Sequence, residues 1–303
     1  MKIAILSKGP GNYSTKRLKE EAIKRGHEVE VINYVQCEAR IEQNNPVVMY
    51  RGEPLKGYDA IIPRIASSYT RFGSAIVRQF EMQGVFTTAS SIAIVRSRDK
   101  LRSIQLLARA GIGIPKTIFS RGLADSDTIV EEVGGPPVII KLARGTHGRG
   151  VVLAETRKAA KSVLQGFSLM DDDGTNIMLQ EYIEESAGTD IRAFVVGGKV
   201  VASMKRQNLN DDFRSNLHQG GEGTAIKLTD EEKRVTIKAA KAMGLSICGV
   251  DMMRSNRGPL VLEVNSSPGF GIEQITGRNV GEKIIEYVEQ NAKGRHKKDR
   301  VGA

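Results

Sequence analysis

A chain of 303 residues, 40% hydrophobic and 26% charged, is long enough for two or three domains with buried cores, and its mixed pattern excludes collagen, a long coiled coil and wholesale disorder. No apolar stretch approaches the ~20 residues of a membrane helix, MKIAIL is too short for a signal peptide, and Cys37 and Cys248 lack metal spacing, so a reducing cytoplasm is the expected setting. The net charge of +10 suits an acidic partner or a nucleic-acid backbone, but 5% aromatics with no Trp supply no platform for stacking bases.

In chain order, residues 2–6 read as a strand, 14–25 as an amphipathic helix stopped by Gly26, 29–32 and 59–63 as strands, and 72–83 and 91–111 as helices. Strands alternating with helices imply a doubly wound parallel sheet over 1–95. Its first strand-to-helix loop, SKGPGN from Ser7, lacks the GxGxxG order, so the unit reads as a scaffold beside a cleft and not as a dinucleotide site.

From Lys116 the texture changes. Strands at 116–119 and 138–142 flank a helix at 125–133, and ARGTHGRG follows at 143–150. A strand at 151–153, a helix at 156–167, a turn at 171–174 and a strand at 177–183 complete this stretch. Two hairpins come next, 190–196 with 199–206 around Gly197-Gly198, and 247–254 with 259–265 around 255–258. The Gly-Gly pair signals a type I′ or II′ turn. Thr229 caps a helix at 229–243, and a last helix covers 281–291. The expected units are 1–95, 96–180, 181–292 and a basic tail, 293–303.

The strongest chemical pattern lies in the second hairpin. Glu263 and Asn265 alternate onto one face of a strand, and a turn centred near Arg257 places Asp251 opposite Glu263. Two carboxylates and an amide oxygen then converge in apolar strands (CGVDMM and LVLEVN). Buried like charges repel unless a cation or proton lies between them, and an all-oxygen set favours Mg²⁺ or Mn²⁺. The alternative is edge positions facing water.

Lys141 ends a strand before a loop in which Gly145, Gly148 and Gly150 interleave with Arg144, Thr146, His147 and Arg149. Glycines let backbone N–H groups approach phosphate oxygens, and cations neutralise them. The order is not that of a Walker A loop. His147 and His218 read as solvated or phosphate-contacting groups, not general bases. Gln180 to Ile183 form a strand end able to offer backbone groups to a base edge. In the first hairpin Asp190 and Arg192 share a face, and a turn centred at Gly198 places Arg206 opposite Asp190, either as a salt bridge or as an arginine cluster over an anion. The segment 212–216 with Gly220-Gly221 reads as an irregular polar loop, and Cys248 as core.

Taken in order, Lys100, Lys141 with GTHGRG, Glu181, then Asp251, Glu263 and Asn265 resemble an ATP-grasp ligase. The likeness is closest to the RimK-type glutamate ligases. It is carried by IPRI (62–65), RQFEM (78–82), RDKLRS and QLLAR (98–109), VVLAETR (151–157), QEYI (180–183), DFRSNLH (212–218) and NRGPLVLEVNSSPG (256–269), and runs to about residue 290. The lid is more basic than the family pattern at Arg144, His147 and Arg149.

The resemblance implies the ATP-grasp fold, α/β and α+β, with an N-terminal Rossmann-like pre-ATP-grasp domain. It implies ATP and two Mg²⁺ or Mn²⁺ ions as cofactors, L-glutamate as substrate and an acyl-phosphate intermediate. The implied acceptor is the acidic C-terminus of small-subunit ribosomal protein number six, or a growing poly-α-glutamate chain. A homo-tetramer is implied, with neither membrane nor direct nucleic-acid binding. By position, Asp251, Glu263 and Asn265 would hold the metal ions. Lys141 and Lys100 would contact the nucleotide, Glu181 and Tyr182 the adenine, and Asp190 the ribose side. Arg214, Ser215 and Asn216 would complete the phosphate site, residues 265–269 would lie near the amino-acid end, and Arg206 and Arg192 would be catalytic. Two other readings are a related ligase with a small-molecule or carrier-protein acceptor, and a basic RNA- or ribosome-binding protein with a vestigial nucleotide site.

Overall fold

The computed structural model describes residues 1–120, 126–142, 150–168, 177–208 and 221–292. The sequence-predicted loop at 143–149, the turn at 171–174, the segment 209–220 and the tail 293–303 lie outside the described residues.

The chain begins β1 (Lys2–Ser7), α1 (Tyr13–Lys24), β2 (Glu28–Ile32), β3 (Cys37–Arg40), β4 (Val47–Tyr50), β5 (Glu53–Pro54), β6 (Ala60–Arg64), α2 (Thr70–Met82), β7 (Phe86–Thr87), α3 (Ser91–Arg98) and α4 (Lys100–Arg109). β2, β1, β6 and β7 form a parallel sheet in that order. β1 is central, and an uninterrupted apolar run suits a strand covered on both faces: Ile3, Ala4, Ile5 and Leu6 are all fully buried. β3, β4 and β5 form a separate antiparallel sheet that the sequence reading did not anticipate.

The helix expected at 91–111 is two helices. Asp99 leaves helical geometry (φ −83°, ψ 104°), and its carboxylate accepts from the Arg102 backbone N–H at 3.0 Å. An aspartate competes with the helix for backbone donors, so it ends α3 and caps α4. That break sets Lys100 at the first position of a helix.

The next unit is β8 (Thr117–Ser120), α5 (Ser126–Val133), β9 (Val138–Leu142), β10 (Val151–Ala154), α6 (Arg157–Ser168) and β11 (Ile177–Glu181). Its antiparallel sheet runs β10-β9-β11-β8. It has a core of its own, built on Val130, Val133, Ile140, Leu164 and Leu179.

The last unit is β12 (Thr189–Val196), β13 (Lys199–Asn208), β14 (Gly221–Ala225), α7 (Asp230–Met243), β15 (Ile247–Ser255), β16 (Gly258–Asn265), α8 (Gly271–Thr276) and α9 (Val280–Ala292). The antiparallel sheet runs β14-β13-β12-β15-β16. Gly221, expected in a loop, opens β14, and α8 is a further addition to the predicted elements. Thr229 caps α7 in a full capping box with Glu232, and Gly244 ends it at φ 73°. Gly197 and Gly198 both take positive φ, 58° and 76°, which makes the first turn type I′.

Each hairpin carries a bulge that decides which residues meet. Next to the first turn Val196 faces Lys199 and Val195 faces Val200; beyond the bulge Phe194 faces Ala202 and Asp190 faces Arg206. In the second, Met252 faces Val261, then Asp251 faces Glu263, leaving Leu262 as the extra residue. A one-residue shift of register moves a side chain to the other face of the sheet. Without that extra residue Leu262, not Glu263, would stand opposite Asp251.

This sheet shares its core with the N-terminal unit. Ile3 and Ile5 belong to one apolar cluster with Phe194, Ile247, Phe270 and Ile285. No helix among the described residues is long and apolar enough to cross a membrane.

Candidate active site

The register of β12, β13, β15 and β16 assembles a charged row on one face of the sheet. Asp190 faces Arg206, Arg192 faces Asp251, and Asp251 faces Glu263. Arg192 donates to Asp251 through Nε and Nη2 at 2.7 and 2.5 Å. Arg206 donates to Asp190 through Nε and Nη2, both at 2.6 Å, and its Nη2 reaches Asp251 Oδ2 at 3.0 Å. Such forked, charge-assisted pairs fix both partners in orientation as well as position. Asp251, Asp190 and Arg206 are all buried, and Arg192 less so. Burial alone would raise the Asp251 carboxyl, but Arg192 and Arg206 outweigh it and hold it well below the usual carboxylate range.

The expectation of two buried carboxylates repelling each other therefore needs amendment. Asp251 is buried, but guanidiniums meet its charge; Glu263 is exposed. The three side chains still converge. The Asn265 amide lies 2.9 Å from Glu263 Oε1 and 3.5 Å from Asp251 Oδ2. Among the described residues Asp251 Oδ1 receives only Arg192 and keeps acceptor capacity, as does Glu263. A hard divalent cation fits this oxygen donor set, with Asn265 turned to present its carbonyl oxygen.

Two lysines on other elements feel the charge of Glu263. Lys141, on β9, donates from Nζ to Gln180 Oε1 at 2.7 Å, and Gln180 Nε2 donates to Thr117 Oγ1 at 3.0 Å. Lys100, opening α4, donates from Nζ to the Leu142 carbonyl at 3.2 Å. Burial pushes Lys141 down to about 8, although Glu263 favours its charged form. Lys100 is lowered by burial and supported by Glu263 in the same way. Ammonium groups kept from water with few fixed anions close by are suited to a polyanionic ligand.

Comparison with protein-family models matches residues 97–288 to the RimK-like ATP-grasp domain and 1–94 to the RimK PreATP-grasp domain. The chain belongs to the RimK-like ATP-grasp family. It is 56% identical over 302 residues, covering 99% of both chains, to a protein of Picosynechococcus sp. named a probable alpha-L-glutamate ligase. A protein of the same name from Hydrogenovibrio crunogenus is 54% identical over 301 residues, again with 99% of both chains covered. Among solved structures, ATP-grasp ligase PsnB, complexed with minimal precursor, Mg and ADP, superposes with a TM-score of 0.72. That match covers 97% of this chain and 98% of that one at 19% identity, and shows the ATP-grasp fold.

The remaining RimK-like residues fall in three groups. Glu181 ends β11, where its carboxylate accepts from the Lys116 backbone N–H and from the Arg257 guanidinium, so its side chain ties β11 to the turn of the second hairpin. Tyr182 follows, half-buried, its phenol raised by burial and then by Glu184. Arg214, Ser215, Asn216, His147 and His218 lie outside the described residues. Sequence reasoning missed the Gln180 and Thr117 relay that holds Lys141, and the partners of Arg64 and Arg98. Both arginines sit in segments quoted for the family likeness, but only the fold brings them to the site.

Proposed function

We propose that this chain is an ATP-dependent α-L-glutamate ligase that adds L-glutamate to the C-terminus of an acidic-tailed small-subunit ribosomal protein, or to a growing poly-α-glutamate, through an acyl phosphate. The observation that carries the reading is the convergence of Asp251, Glu263 and Asn265 on one sheet face, with the charge of Glu263 felt by Lys100 and Lys141 of other elements. The full-length likeness to proteins named probable alpha-L-glutamate ligases supports it.

In this reading Asp251, Glu263 and Asn265 hold Mg²⁺ or Mn²⁺, which offsets phosphate charge in phosphoryl transfer. Lys141 and Lys100 bind the nucleotide phosphates. Glu181 and Tyr182 stand at the adenine, Asp190 at the ribose side, and Arg214, Ser215 and Asn216 complete the phosphate site. Arg192, the less buried of the two arginines, supplies fixed positive charge where negative charge develops on the transferred group. Arg206, locked between Asp190 and Asp251, acts as a positioning residue. No side-chain nucleophile is needed, because an amine held beside an activated carboxyl reacts by proximity. A cationic surface of net charge +10 suits an oligoglutamate product and an acidic acceptor tail. The enzyme is expected to assemble as a homo-tetramer, readable by light scattering.

The test is ADP release from the purified chain with ATP, Mg²⁺ and L-glutamate, with products read by mass spectrometry. A ladder of glutamate additions that Glu263→Ala abolishes is the expected result. ATP turnover that ignores glutamate but responds to another acid or amine would overturn the substrate.

A further inference from the structure

The N-terminal sheet has its own ligand position. Open parallel sheets bind ligands in the crevice beyond the carboxyl ends of their strands, at the point where strand order reverses. In the order β2-β1-β6-β7 that point lies between β1 and β6. The last residues of these strands, Ser7 and Arg64, are register partners. Arg64 therefore stands where such a sheet presents its ligand-binding edge.

Arg64 also reaches the other half of the molecule. Its Nη2 donates to the Pro268 carbonyl at 2.6 Å and to Ser14 Oγ at 3.0 Å, and its guanidinium lies 5.2 Å from the centre of the Phe270 ring. Pro268 is three residues beyond Asn265. Arg98, closing α3, donates from Nη2 to the Ile65 carbonyl at 2.9 Å. Its Nε is buried with no hydrogen-bond partner among the described residues, as are the hydroxyls of Ser266 and Ser267.

Neither arginine is hydrogen-bonded to a carboxylate among the described residues. Burial, with Arg98 beside it, lowers Arg64 to about 10; burial also lowers Arg98, which Glu263 partly supports. Two neighbouring guanidiniums drawn out of water cost free energy unless an anion meets them. Their planar forks match a carboxylate better than a point charge does. Glu263 is felt by Arg98 of the N-terminal unit and by Lys100 and Lys141. Beside Arg192 and Arg206, which carboxylates already meet, the site thus has two further sets of cations: the lysines, and an arginine pair seated against the segment that follows the strand of Glu263 and Asn265.

We propose that Arg64 and Arg98 form a carboxylate subsite, separate from the lysine pair, that holds a carboxylate of the amino-acid substrate. This rests on the ligase reading above. Ser266 and Ser267 supply neutral donors beside it, and the amino acid is held from the N-terminal unit while the nucleotide is held by β9 and α4.

The experiment measures calorimetric binding of L-glutamate and of glutarate to the full chain carrying a non-hydrolysable ATP analogue and Mg²⁺. It then measures KM for ATP, L-glutamate, L-glutamine and L-isoglutamine. Arg64→Gln, which keeps a donor for the Pro268 carbonyl, should weaken L-glutamate by roughly ten- to a hundredfold, the scale of one charge-assisted hydrogen bond. KM for ATP should stay within about twofold, since nothing on the lysine side changes. Arg64→Lys should restore part of the loss, and Arg98→Gln should reproduce it if Arg64→Gln does not fold. The unaltered enzyme should reject one of the two amides, and the variant should lose that discrimination, which identifies the α- or γ-carboxylate as the one held. A variant that keeps the discrimination of the unaltered enzyme, an unaltered enzyme that accepts both amides, or an equal rise in KM for ATP overturns the subsite, as does absence of glutarate and glutamate binding to the unaltered chain. Binding without glutamate turnover would count against the ligase reading alone.

Discussion

At the residue scale the site is decided by which charges are already paired. Asp251 and Asp190 are held by Arg192 and Arg206, whereas Lys141 and Lys100 meet neutral oxygens and Glu263 only at a distance. Lys141 is the titratable consequence. Its folded value is about 8 against 10.5 for a free lysine. Nucleotide phosphates would favour the ammonium, so ATP binding near about pH 9 should take up a proton, and binding near about pH 6.5 should not. Calorimetry in buffers of different ionisation heat reads this directly, and Lys141→Arg should abolish the uptake. Stability runs the other way in the free chain. The contribution of Lys141 is fully present above 10.5 and is lost as pH falls through about 8, where the buried amine must carry charge. Glu263 and Asn265 were legible from their alternation and from an oxygen-only donor set. Arg64 and Arg98 were not, because their meaning comes from partners two hundred residues away or on another element, such as Pro268 for Arg64 and Ile65 for Arg98.

At the element scale, turns and bulges set the chemistry. The type I′ turn requires positive φ at Gly197 and Gly198, but their surroundings differ. A Cβ at Gly198 meets nothing within 4 Å, while one at Gly197 lies 2.9 Å from Tyr287 Cδ2. Gly198→Ala should cost about 1–2 kcal/mol, the penalty of a left-handed alanine. Gly197→Ala should cost more, since the Tyr287 ring on α9 must also give way, and urea unfolding of the pair reads the difference. The two hairpins were legible because Gly-Gly and the NRG turn stand between alternating apolar runs. The break at Asp99 was not, since the apolar periodicity continues through it and the capping bond to Arg102 is a local choice of the side chain. β3 and β5 escaped notice because they are four and two residues long and carry glutamate, arginine and proline where a strand signal would need alternation, and β4, a four-residue apolar run, because it stands between them with no longer pattern to join.

At the scale of the whole molecule, cores do not follow the sequence order of the units. The β8–β11 unit encloses its own cluster, whereas the N-terminal sheet and the five-stranded sheet share theirs. A polar seam reinforces the shared part: Arg17 bonds Glu21 and Glu273, Asn279 bonds Glu21, and Arg25 and His27 both meet Glu289. Hydrogen exchange should therefore show β8–β11 opening as a separate cooperative unit at lower free energy than β1, β12 and β15, which should open together. Nucleotide should raise protection in β9 and β11 most. One transition shared by β8–β11 with β1, β12 and β15 would refute this partition. Sequence reading placed the central strands of both outer sheets and missed the short edge strands β7 and β14, and no local pattern announces that Ile5 and Phe194 will belong to one cluster.

That common interior has a consequence for inheritance. Ile3, Ile5, Leu18 and Ala22 from the start of the chain are packed among Phe194 of β12 and Ile272, Ile284 and Val288 from its end. A recombination that exchanged the first 94 residues between distant relatives would bring together half-interiors that had drifted apart, and the hybrid would fail in packing before it failed in chemistry. The β8–β11 unit, with a closed interior, is the piece a lineage can exchange or remodel on its own. Change can thus accumulate there while the N-terminal sheet and the five-stranded sheet descend as a single hereditary block.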